Sequence, residues 1–457
     1  MRKIAITQRL VKNQSYHEIR ECLDINFSKL LSDCGFIPII LPYEVDFESY
    51  FKIFEIEGVL LTGGNDLDVF NSNELSLKRD NYEKNILKFC IKKEIPVFGI
   101  CRGMQVIADY FNSSFKAINN QVNVRHSLII NTNSKFKKDL QKIDEVNSYH
   151  EFTIDQLSKE LIISATNETK VVKAIEHKTK SIFGQMCHPE RESPFSKPQM
   201  NLIQEFFNEN INKVIEISKL ASESIMKIYN KNNFEVNYKI DKSPLTDADL
   251  TSNKIIIDEL EKISKDPLVT EESPIEYKIR KNFKKFWLID PLDGTKDFIS
   301  KNGQFTVNIA LIFNNQPILG VICVPKTGDV YYAIKNGGAF KNGVQIFNNS
   351  KREELIGADS RFHSSLKTKA FFKKYNIKKI KKYGSSIKLC KLAEGIIDVY
   401  PRLNGTKEWD TAASHIIVQE AGCKIIDVES KKELVYNKKS IKNNYFVACR
   451  NNLSFEL

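Results

Sequence analysis

The chain has 457 residues, 42% of them hydrophobic and 27% charged, which is an ordinary balance for a soluble globular protein of two or three domains. It has no run of about 18 apolar residues and no apolar signal-peptide core after Met1, so we expect a cytoplasmic protein without a membrane partner. The net charge of +11 comes mostly from dispersed lysines, which favours small anionic substrates over a nucleic-acid partner.

The first 210 residues alternate short apolar segments with longer amphipathic ones. The apolar segments predict five strands, at Lys3–Thr7, Ile37–Leu41, Gly58–Thr62, Pro96–Ile100 and Ser181–Met186. The amphipathic segments predict helices at Ser15–Asp33, Arg79–Lys93 and Arg102–Phe111. Such alternation is typical of an α/β fold with a mostly parallel, doubly wound sheet and helices on both faces.

Cys101 lies where the fourth predicted strand turns into a helix, between Gly99 and Gly103. This is the layout of a nucleophile elbow, and the glycines permit a sharp turn and close packing. The dipole at a helix N-terminus favours a thiolate. The nine cysteines are scattered and form no C-x-x-C, so we expect reduced thiols and no zinc site. Taken alone, Cys101 is also compatible with a buried small hydrophobic residue.

His188 and Glu190, near the end of the last predicted strand of this half, are candidate partners of Cys101. The imidazole of His188 can act as base and general acid, and Glu190 can orient it. Leu61–Asn65 contains two glycines after the third predicted strand. The backbone N–H groups of Gly64 and Arg102 are therefore candidate oxyanion-hole donors.

These residues resemble the class I glutamine amidotransferases, which implies a flavodoxin-like fold and no cofactor. Val146–His150 and Gln185–Glu192 are similar to stand-alone γ-glutamyl hydrolases such as the γ-glutamyl-GABA type. The opening Ile6–Arg9 and Ser15–Glu18 resembles more closely the γ-glutamyl-CDP-amidate hydrolases of capsular phosphoramidate synthesis. Five further residues are open between lining the substrate pocket and a structural or surface role: Arg9, Tyr16, Arg125, His126 and His150.

A new apolar periodicity begins near residue 211. Gln204–Asn210 is predicted to end one helix and Ile211–Tyr229 to form the next, so we expect domains at 1–210 and 211–457. Further on, the pattern predicts a helix containing Ile255–Leu260 and a hairpin formed by Gly303–Ile312 and Pro317–Val324.

Asp290 and Asp293 follow a predicted buried strand on one tight turn. Two carboxylates so close repel each other unless a cation lies between them, and oxygen ligands favour Mg²⁺ or Mn²⁺ over zinc. A surface turn is the alternative for this pair alone. Upstream lies Glu271-Glu272, and downstream Trp409–Ala413 opens an apolar run that predicts a helix.

The set E-E, D-P-L-D-G-T and W-D-T-A-A, in this order, resembles the inositol monophosphatase superfamily over about residues 211–457. The resemblance implies a layered α/β fold that binds two or three Mg²⁺ ions. It implies that Asp249 and Thr295 orient the attacking water. The implied ligands of the first metal are Glu271, Asp290 and the carbonyl of Leu292, and those of the second are Asp290, Asp293 and Asp410.

Ser360–His363, Tyr383–Cys390 and Asp398–Arg402 resemble the 3′(2′),5′-bisphosphate nucleotidase branch of this superfamily. Arg402 can form a bidentate contact with a phosphate, and Lys388 supplies a point charge. Such a pair of cations suits a substrate with a second phosphate. Asn404–Glu408 departs from the usual branch pattern and leaves the base specificity open. The implied substrate-binding residues are Gly294, His363, Ser385, Ser386, Lys388 and Arg402.

Together the two halves predict a bifunctional hydrolase of small molecules. The candidate substrates are γ-glutamyl-CDP-amidate and cytidine 3′,5′-bisphosphate. The alternative is an adenosine 3′,5′-bisphosphate phosphatase of sulfate assimilation fused to a γ-glutamyl-GABA-type hydrolase. A half that only binds ligands, or nucleic-acid binding through lysines such as those of Lys378–Lys382, are further alternatives. The oligomeric state is left open.

Overall fold

A computed structural model describes residues 2–231, 236–238 and 244–456. The chain forms two compact units, Met1–Glu209 and Asn210–Leu457. Lys242 and Ser243, at the start of the segment that leads to the candidate residue Asp249, lie outside the described residues. Within the described ranges, no helix combines the length and the apolar character that crossing a membrane requires.

The described residues of the first unit form fourteen strands and six α-helices. The strands are β1 Lys3–Ile6, β2 Arg9–Lys12, β3 Ile19–Cys22, β4 Ile37–Ile40, β5 Gly58–Leu61, β6 Val97–Ile100, β7 Ser114–Ala117, β8 Val122–Ser127, β9 Ile129–Ile130, β10 Glu145–Tyr149, β11 Phe152–Gln156, β12 Leu161–Thr166, β13 Val172–His177 and β14 Ile182–Gln185. The helices are α1 Ile25–Asp33, α2 Phe47–Ile53, α3 Glu74–Lys93, α4 Arg102–Tyr110, α5 Lys137–Leu140 and α6 Lys197–Phe207, with a 3₁₀ turn at Pro189–Arg191.

An eight-stranded sheet in the order β4-β1-β5-β6-β14-β13-β12-β9 organises this unit. The five predicted strands are β1, β4, β5, β6 and β14. They lie next to one another in the order β4-β1-β5-β6-β14 and form the parallel part of the sheet. Phe98 of β6 packs on Phe206 of α6, whereas the next residue, Gly99, faces α4. Since successive strand residues point to opposite faces, helices cover both faces of the sheet, and the expected doubly wound α/β fold is confirmed.

The helix predicted over Ser15–Asp33 is wrong in its first half. β2 and β3 form an antiparallel hairpin in which Arg9 pairs with Cys22, and the helix α1 begins only at Ile25. The side chain of Asp24 accepts a hydrogen bond from the backbone N–H of Asn26, so Asp24 caps α1 and separates it from the hairpin. Strand pairing, a contact between distant residues, overrides the local helical pattern here.

The second unit consists of α-helices, two larger sheets and short strand pairs. Its helices are α7 Glu209–Tyr229, α8 Asp247–Ile263, α9 Tyr277–Arg280, α10 Thr295–Ile299, α11 Leu366–Lys374, α12 Ile387–Ala393 and α13 Glu408–Glu420. Its strands are β15 Val236–Tyr238, β16 Pro244–Thr246, β17 Leu268–Thr270, β18 Lys285–Asp293, β19 Thr306–Phe313, β20 Gln316–Val324, β21 Asp329–Ile334, β22 Gly338–Lys341, β23 Val344–Ile346, β24 Ile356–Ser360, β25 Lys379–Tyr383, β26 Val399–Arg402, β27 Thr406–Lys407, β28 Cys423–Asp427, β29 Lys442–Asn443 and β30 Phe446–Arg450.

The seven-stranded sheet β17 to β23 has helices on both faces. On β18, Trp287 and Ile289 pack with α7 and α8, while Phe286 and Leu288 pack with α12 and α13. The second sheet, β25-β24-β26-β30-β28, covers the other side of α12 and α13, and α11 packs on its far face. The order is therefore helices, sheet, helices, sheet, helix, and the expected layered α/β architecture is confirmed.

The predicted helix around Ile255–Leu260 and the hairpin β19–β20 are present. The helix boundary near residue 210 differs slightly from expectation: α6 ends at Phe207 and α7 begins at Glu209. The chain therefore changes helix two residues before the predicted position.

Candidate active sites

Cys101 occupies a strained turn between β6 and α4. Its φ of 52° and ψ of −106° are unusual for a residue other than glycine. The turn is held because the Cys101 N–H donates to the Gln185 carbonyl at 2.7 Å. A Cβ on Gly99 would lie 2.5 Å from the carbonyl carbon of Gly103, so only glycine allows this close packing. The thiol is thereby held at the N-terminus of α4.

The imidazole of His188 lies beside Cys101 and is bound to Glu190. His188 Nδ1 and Glu190 Oε1 are 2.6 Å apart, and both side chains are buried. A Cβ on Gly63 would lie 3.1 Å from His188 Cε1 and 3.6 Å from Cys101 Cβ, so Gly63 leaves space where thiol and imidazole meet. His188 Nε2 is buried without a hydrogen-bond partner within the described ranges, which leaves it for the thiol or the substrate.

The electrostatics favour a protonated imidazole on His188. Burial alone would lower the pKa of His188, but the charge of the Cys101 thiolate and the hydrogen bond to Glu190 outweigh burial and raise the pKa to about 9. The imidazole is therefore protonated at neutral pH when Cys101 is a thiolate. Such a pair supplies both a nucleophile and a general acid.

Asn147 on β10 fixes the backbone of His188. The His188 N–H donates to Asn147 Oδ1 at 2.7 Å, and Asn147 Nδ2 donates to the His188 carbonyl at 2.8 Å. Asn147 Nδ2 also donates to Glu192 Oε1 at 2.9 Å. The segment Val146–His150 stood out in the sequence, but the role of Asn147 depends on the antiparallel pairing of β10 with β8 and could not be predicted from it.

The loop that carries Gly64 is tied to a buried arginine. Gly64 has a φ of +82°, a region that favours glycine. Arg79 of α3 donates to the Gly64 carbonyl, and its Nη2 donates to the Thr62 carbonyl at 3.0 Å. Because Arg79 holds the carbonyl of Gly64, the backbone N–H groups of this loop have a fixed position relative to the Cys101 turn.

Arg102, the other candidate oxyanion donor, turns its side chain into the same buried network. Its guanidinium is ion-paired with Glu83 and Asp80, and Glu83 Oε1 is 3.1 Å from Arg79 Nε. Although burial opposes it, the charges of Arg102 and Arg79 lower the pKa of Glu83. Two cations and two anions thus join the elbow to the glycine loop. The i,i+4 spacing of Arg79 and Glu83 was the only sequence signal of this network.

The five residues left open in the sequence have different surroundings. Arg125 is paired with Glu192 and Glu145, and His126 Nδ1 lies 2.9 Å from Glu168. Tyr16 is exposed and accepts from Arg20 at 2.9 Å.

Arg9 lies against Gly64, and His150 lies away from solvent. His150 Nε2 is 3.1 Å from Lys173 Nζ, and burial followed by the Lys173 charge lowers the pKa of His150 to about 3. His150 is therefore a neutral acceptor of a buried lysine.

In the second unit, three carboxylates meet at the end of β18. Ligand oxygens of Glu271, Asp290 and Asp410 lie within 4.8 Å of one another. Burial and then the charges of Glu271, Asp293 and Asp410 raise the pKa of Asp290 well above its usual value. Burial, followed by Asp293 and Glu271, raises the pKa of Asp410 to about 8. Mutual repulsion among hard oxygen ligands fits a divalent cation of the Mg²⁺ type.

The cluster contains ligands of both sets implied by the resemblance. Glu271 was assigned to the first metal, Asp410 to the second and Asp290 to both, and the three lie together. Asp293 Oδ2 accepts from the backbone N–H of Ser386 at 2.7 Å and from its hydroxyl at 2.9 Å. The Leu292 carbonyl is 3.5 Å from the hydroxyl of Thr295.

Asp249 and Thr295 come together beside this cluster. The Thr295 hydroxyl donates to Asp249 Oδ1 at 3.2 Å. Asp249 Oδ2 accepts from the backbone N–H and the hydroxyl of Thr246, at 2.8 and 2.6 Å, in a capping box at the start of α8. The cap fixes the carboxylate, so Oδ1 holds the Thr295 hydroxyl in one orientation.

A cavity of about 500 Å³ opens over these carboxylates, and all six implied substrate-binding residues line it. Gly294 has a φ of +93° and packs closely against Ser385. A Cβ on residue 294 would lie only 3.1 Å from Ser385 Cβ, so this position favours glycine. Lys388 is buried and donates to the Ser385 carbonyl at 2.7 Å. Burial, then the charge of Arg402, lowers the pKa of Lys388 to about 8.

Arg402 completes the cationic side of the cavity, and the neutral imidazole of His363 lies next to it. Burial, followed by the charges of Arg402, Lys296 and Lys388, lowers the pKa of His363 to about 4. In the part of the chain that the structure describes, neither Lys388 nor Arg402 has a carboxylate within 4.0 Å, and Arg402 Nε is buried without a hydrogen-bond partner. These cations are therefore available to an anionic ligand.

Several cavity residues were missed in the sequence. Lys296 and Lys442 line the cavity, and Lys407 Nζ lies 3.7 Å from Glu271 Oε1. The backbone N–H of Lys407 also donates to Asp410 Oδ2 at 2.9 Å at the start of α13. Lysines are common in this chain, so only their position next to the motifs could have distinguished these three.

Two family models match the chain: "Inositol monophosphatase family" over residues 208–452 and "Peptidase C26" over residues 3–190. The chain is 41% identical over 231 residues to the 3′(2′),5′-bisphosphate nucleotidase CysQ of Buchnera aphidicola, covering 49% of this chain and 86% of that protein. It is 40% identical over 208 residues to the gamma-glutamyl-CDP-amidate hydrolase of Campylobacter jejuni, covering 45% of this chain and 97% of that protein.

A solved structure of CysQ from Bacteroides thetaiotaomicron, described as a bacterial member of the inositol monophosphatase family, is also similar. It is 34% identical, covers 54% of this chain and 99% of its own, and has a TM-score of 0.49. Both halves of the chain therefore match families of hydrolases. The chain belongs to the inositol monophosphatase family through residues 208–452 and to the peptidase C26 family through residues 3–190, as both resemblances implied.

Proposed function

We propose that this chain is a bifunctional hydrolase. Residues 1–210 would cleave a γ-glutamyl amide, and residues 211–457 would remove the 3′-phosphate of a nucleoside 3′,5′-bisphosphate with Mg²⁺. The observation that supports the first activity is the buried Cys101, His188 and Glu190 set. The observation that supports the second is a carboxylate cluster beside cations that have no carboxylate partner within the described residues.

In the first reaction, Cys101 Sγ attacks the γ-carbonyl carbon, and the developing oxyanion accepts hydrogen bonds from the N–H groups of Gly64 and Arg102. The C–N bond then breaks, and His188 Nε2 protonates the departing nitrogen. A water that gives its proton to His188 attacks the thioester and releases glutamate and the thiol. Glu190 holds the imidazole throughout.

In the second reaction, a water held by Asp249 and Thr295 attacks the 3′-phosphorus, and the bond to the ribose oxygen breaks. Glu271, Asp290 and Asp410 would hold Mg²⁺, with Asp293 and the Leu292 carbonyl completing its surroundings. When bound, Mg²⁺ polarises the phosphoryl group and stabilises the leaving oxygen. Lys388 and Arg402 bind the other phosphate, and His363, Ser385 and Ser386 line the nucleotide cavity.

The two activities fit one pathway. Hydrolysis of a γ-glutamyl-CDP-amidate gives glutamate and cytidine diphosphoramidate. If a kinase later adds a 3′-phosphate, transfer of the phosphoramidate group leaves cytidine 3′,5′-bisphosphate, which the second site would recycle. The similarity of the first half to a gamma-glutamyl-CDP-amidate hydrolase and of the second to bisphosphate nucleotidases supports this order.

Phosphate release from different nucleotides tests the proposal. With Mg²⁺, we expect kcat/KM for cytidine 3′,5′-bisphosphate to exceed that for inositol 1-phosphate by at least about 100-fold, because only the nucleotide has a second phosphate for Lys388 and Arg402. Adenosine 3′,5′-bisphosphate is the comparison for the base. Exclusive turnover of the adenosine compound would contradict the recycling role and favour a sulfate-assimilation nucleotidase.

The pH dependence tests the ion pair of the first site. The pKa of His188 is raised to about 9, so the imidazolium that protonates the leaving nitrogen persists below that pH and is lost above it. We expect kcat/KM for γ-glutamyl amide hydrolysis to fall above about pH 9, followed as glutamate release. Glu190→Gln removes one cause of the raised pKa and should move this limb to lower pH. If the fall in kcat/KM occurs at the same pH in Glu190→Gln as in wild type, Glu190 does not raise the pKa of His188.

A further inference from the structure

Arg9 lies directly over the glycine loop of the first site. It belongs to the hairpin β2–β3, which is pinned to this loop because the Leu10 N–H donates to Asn65 Oδ1 and Asn65 Nδ2 donates to the Leu10 carbonyl, both at 3.0 Å. A Cβ on Gly64 would lie 3.1 Å from Arg9 Cδ and 3.6 Å from Arg9 Cβ. The stem of Arg9 thus covers the residue whose N–H is the candidate oxyanion donor.

The guanidinium of Arg9 is exposed and has no carboxylate within 4.0 Å in residues 2–231, 236–238 and 244–456. Both carboxylates of its hairpin are engaged elsewhere. Glu18 is paired with Arg20, while Glu21 accepts from Gln8 Nε2 at 2.7 Å and from the Tyr43 N–H at 3.0 Å. An arginine held in this way beside a reacting centre is prepared to bind an anion.

The position of Arg9 relates it to one part of the substrate. When the γ-carbonyl oxygen is bound at Gly64, the group attached to the scissile nitrogen lies next to that oxygen. In a γ-glutamyl phosphoramidate this group is a phosphoryl group, whereas the glutamyl α-carboxylate is separated from the carbonyl by three carbon atoms. We propose that Arg9 binds the phosphoryl oxygens of the leaving group and so selects phosphoramidates over uncharged amines.

This inference rests on the proposed γ-glutamyl hydrolysis and names the leaving group that the site recognises. A guanidinium can donate two parallel hydrogen bonds to phosphoryl oxygens. It also offsets the negative charge next to the breaking C–N bond, which would otherwise oppose attack by the Cys101 thiolate. An aromatic amine as leaving group has no phosphoryl oxygens and no negative charge next to the scissile bond, so Arg9 has no phosphoryl group to bind in such a substrate.

The test compares two substrates in the full-length protein. We expect Arg9→Gln to lower kcat/KM for γ-glutamyl-CDP-amidate by about 10- to 100-fold, the effect of losing charge-assisted hydrogen bonds. The same variant should change kcat/KM for γ-glutamyl-p-nitroanilide by less than about threefold, because that substrate shares the glutamyl group but lacks the phosphoryl group. Arg9→Lys should retain part of the activity on the amidate.

Arg20→Gln is the matched control, since it removes an equal charge from the same hairpin but from a residue paired with Glu18. It should leave both activities unchanged. If Arg9→Gln lowers both substrates equally, Arg9 serves the glutamyl group or the hairpin, and the inference is wrong. An unchanged amidate activity also overturns it. Wild-type turnover of the anilide alone would overturn it while γ-glutamyl hydrolysis stands, whereas turnover of neither substrate would refute the proposed function itself.

Discussion

Replacing Cys101 by alanine is expected to lower kcat/KM for γ-glutamyl amide hydrolysis by at least about 1000-fold, because no other group can form the thioester. Alanine has the same backbone requirements as cysteine at a φ of 52°, so the turn should be kept. Phosphate release from nucleoside 3′,5′-bisphosphates, which uses residues of the second unit, should be unchanged. The measurement is glutamate release and phosphate release from one preparation.

Cys34→Ala is the control for loss of a buried thiol in the same unit. Burial raises the pKa of Cys34 to about 12, so this thiol is not a nucleophile at neutral pH. Its replacement should leave glutamate release within about twofold of wild type. Full activity of the Cys101→Ala variant, or a parallel loss of both activities, would contradict the assignment.

Cys101→Ala in the first unit and Asp290→Asn in the second together decide between a bifunctional enzyme and a chain in which one half only binds ligands. The candidate groups of both sites are present and held in place: an imidazole whose pKa is raised to about 9 beside a thiol, and a capped Asp249 that accepts from the Thr295 hydroxyl. A binding module needs neither arrangement. Selective loss of one activity per variant is therefore the result that distinguishes the two.

The sequence predicted those parts of the fold and sites that depend on contiguous residues. The parallel strands around the Cys101 elbow are short apolar segments with glycines at the turn, and Asp290 and Asp293 lie in the last four residues of the buried strand β18. Both patterns are local, because buried strands and tight turns are indicated by the types of a few neighbouring residues. Periodicity therefore located the elements that carry the chemistry.

What the sequence could not predict depends on pairing between distant residues. The second strand of the hairpin, β3, lies in a segment that was predicted as a helix, and the contact of β2 with Asn65 exists only once β1 and β5 are adjacent. The ion pairs of Arg102 with Asp80 and Glu83 of α3 likewise need the fold to bring α3 and α4 together.

The metal ligands show the same limit. Family resemblance indicated the residues Glu271, Asp290 and Asp410. Their grouping within 4.8 Å depends on the packing that brings the C-terminal ends of β17 and β18 next to the first turn of α13. Asp293 was assigned as a ligand on equal terms, yet one of its oxygens is bound to Ser386. The motifs therefore located the residues, whereas packing determines which carboxylates group together and which are hydrogen-bonded to other residues.

Replacing Asp290 by asparagine is expected to lower kcat/KM for nucleotide dephosphorylation by at least about 100-fold, because the shared carboxylate of the cluster is lost. The fold should not suffer. Asparagine can still accept the hydrogen bond from the Leu292 N–H, which is 3.1 Å long, and it removes one of several repelling buried charges. We therefore expect the melting temperature in EDTA to be equal to or above that of wild type.

The decisive comparison is the effect of Mg²⁺ on melting. Wild type should gain about 3–8 °C at saturating Mg²⁺, since a ligand that binds only the folded state stabilises it, whereas Asp290→Asn should gain almost nothing. Asp329→Asn, which removes a carboxylate paired with Lys341 outside the cavity, should respond like wild type. An Asp290→Asn protein that keeps the Mg²⁺-dependent shift would show that the cluster is not the metal site. One that loses glutamate release as well would show that the defect is not confined to the second unit.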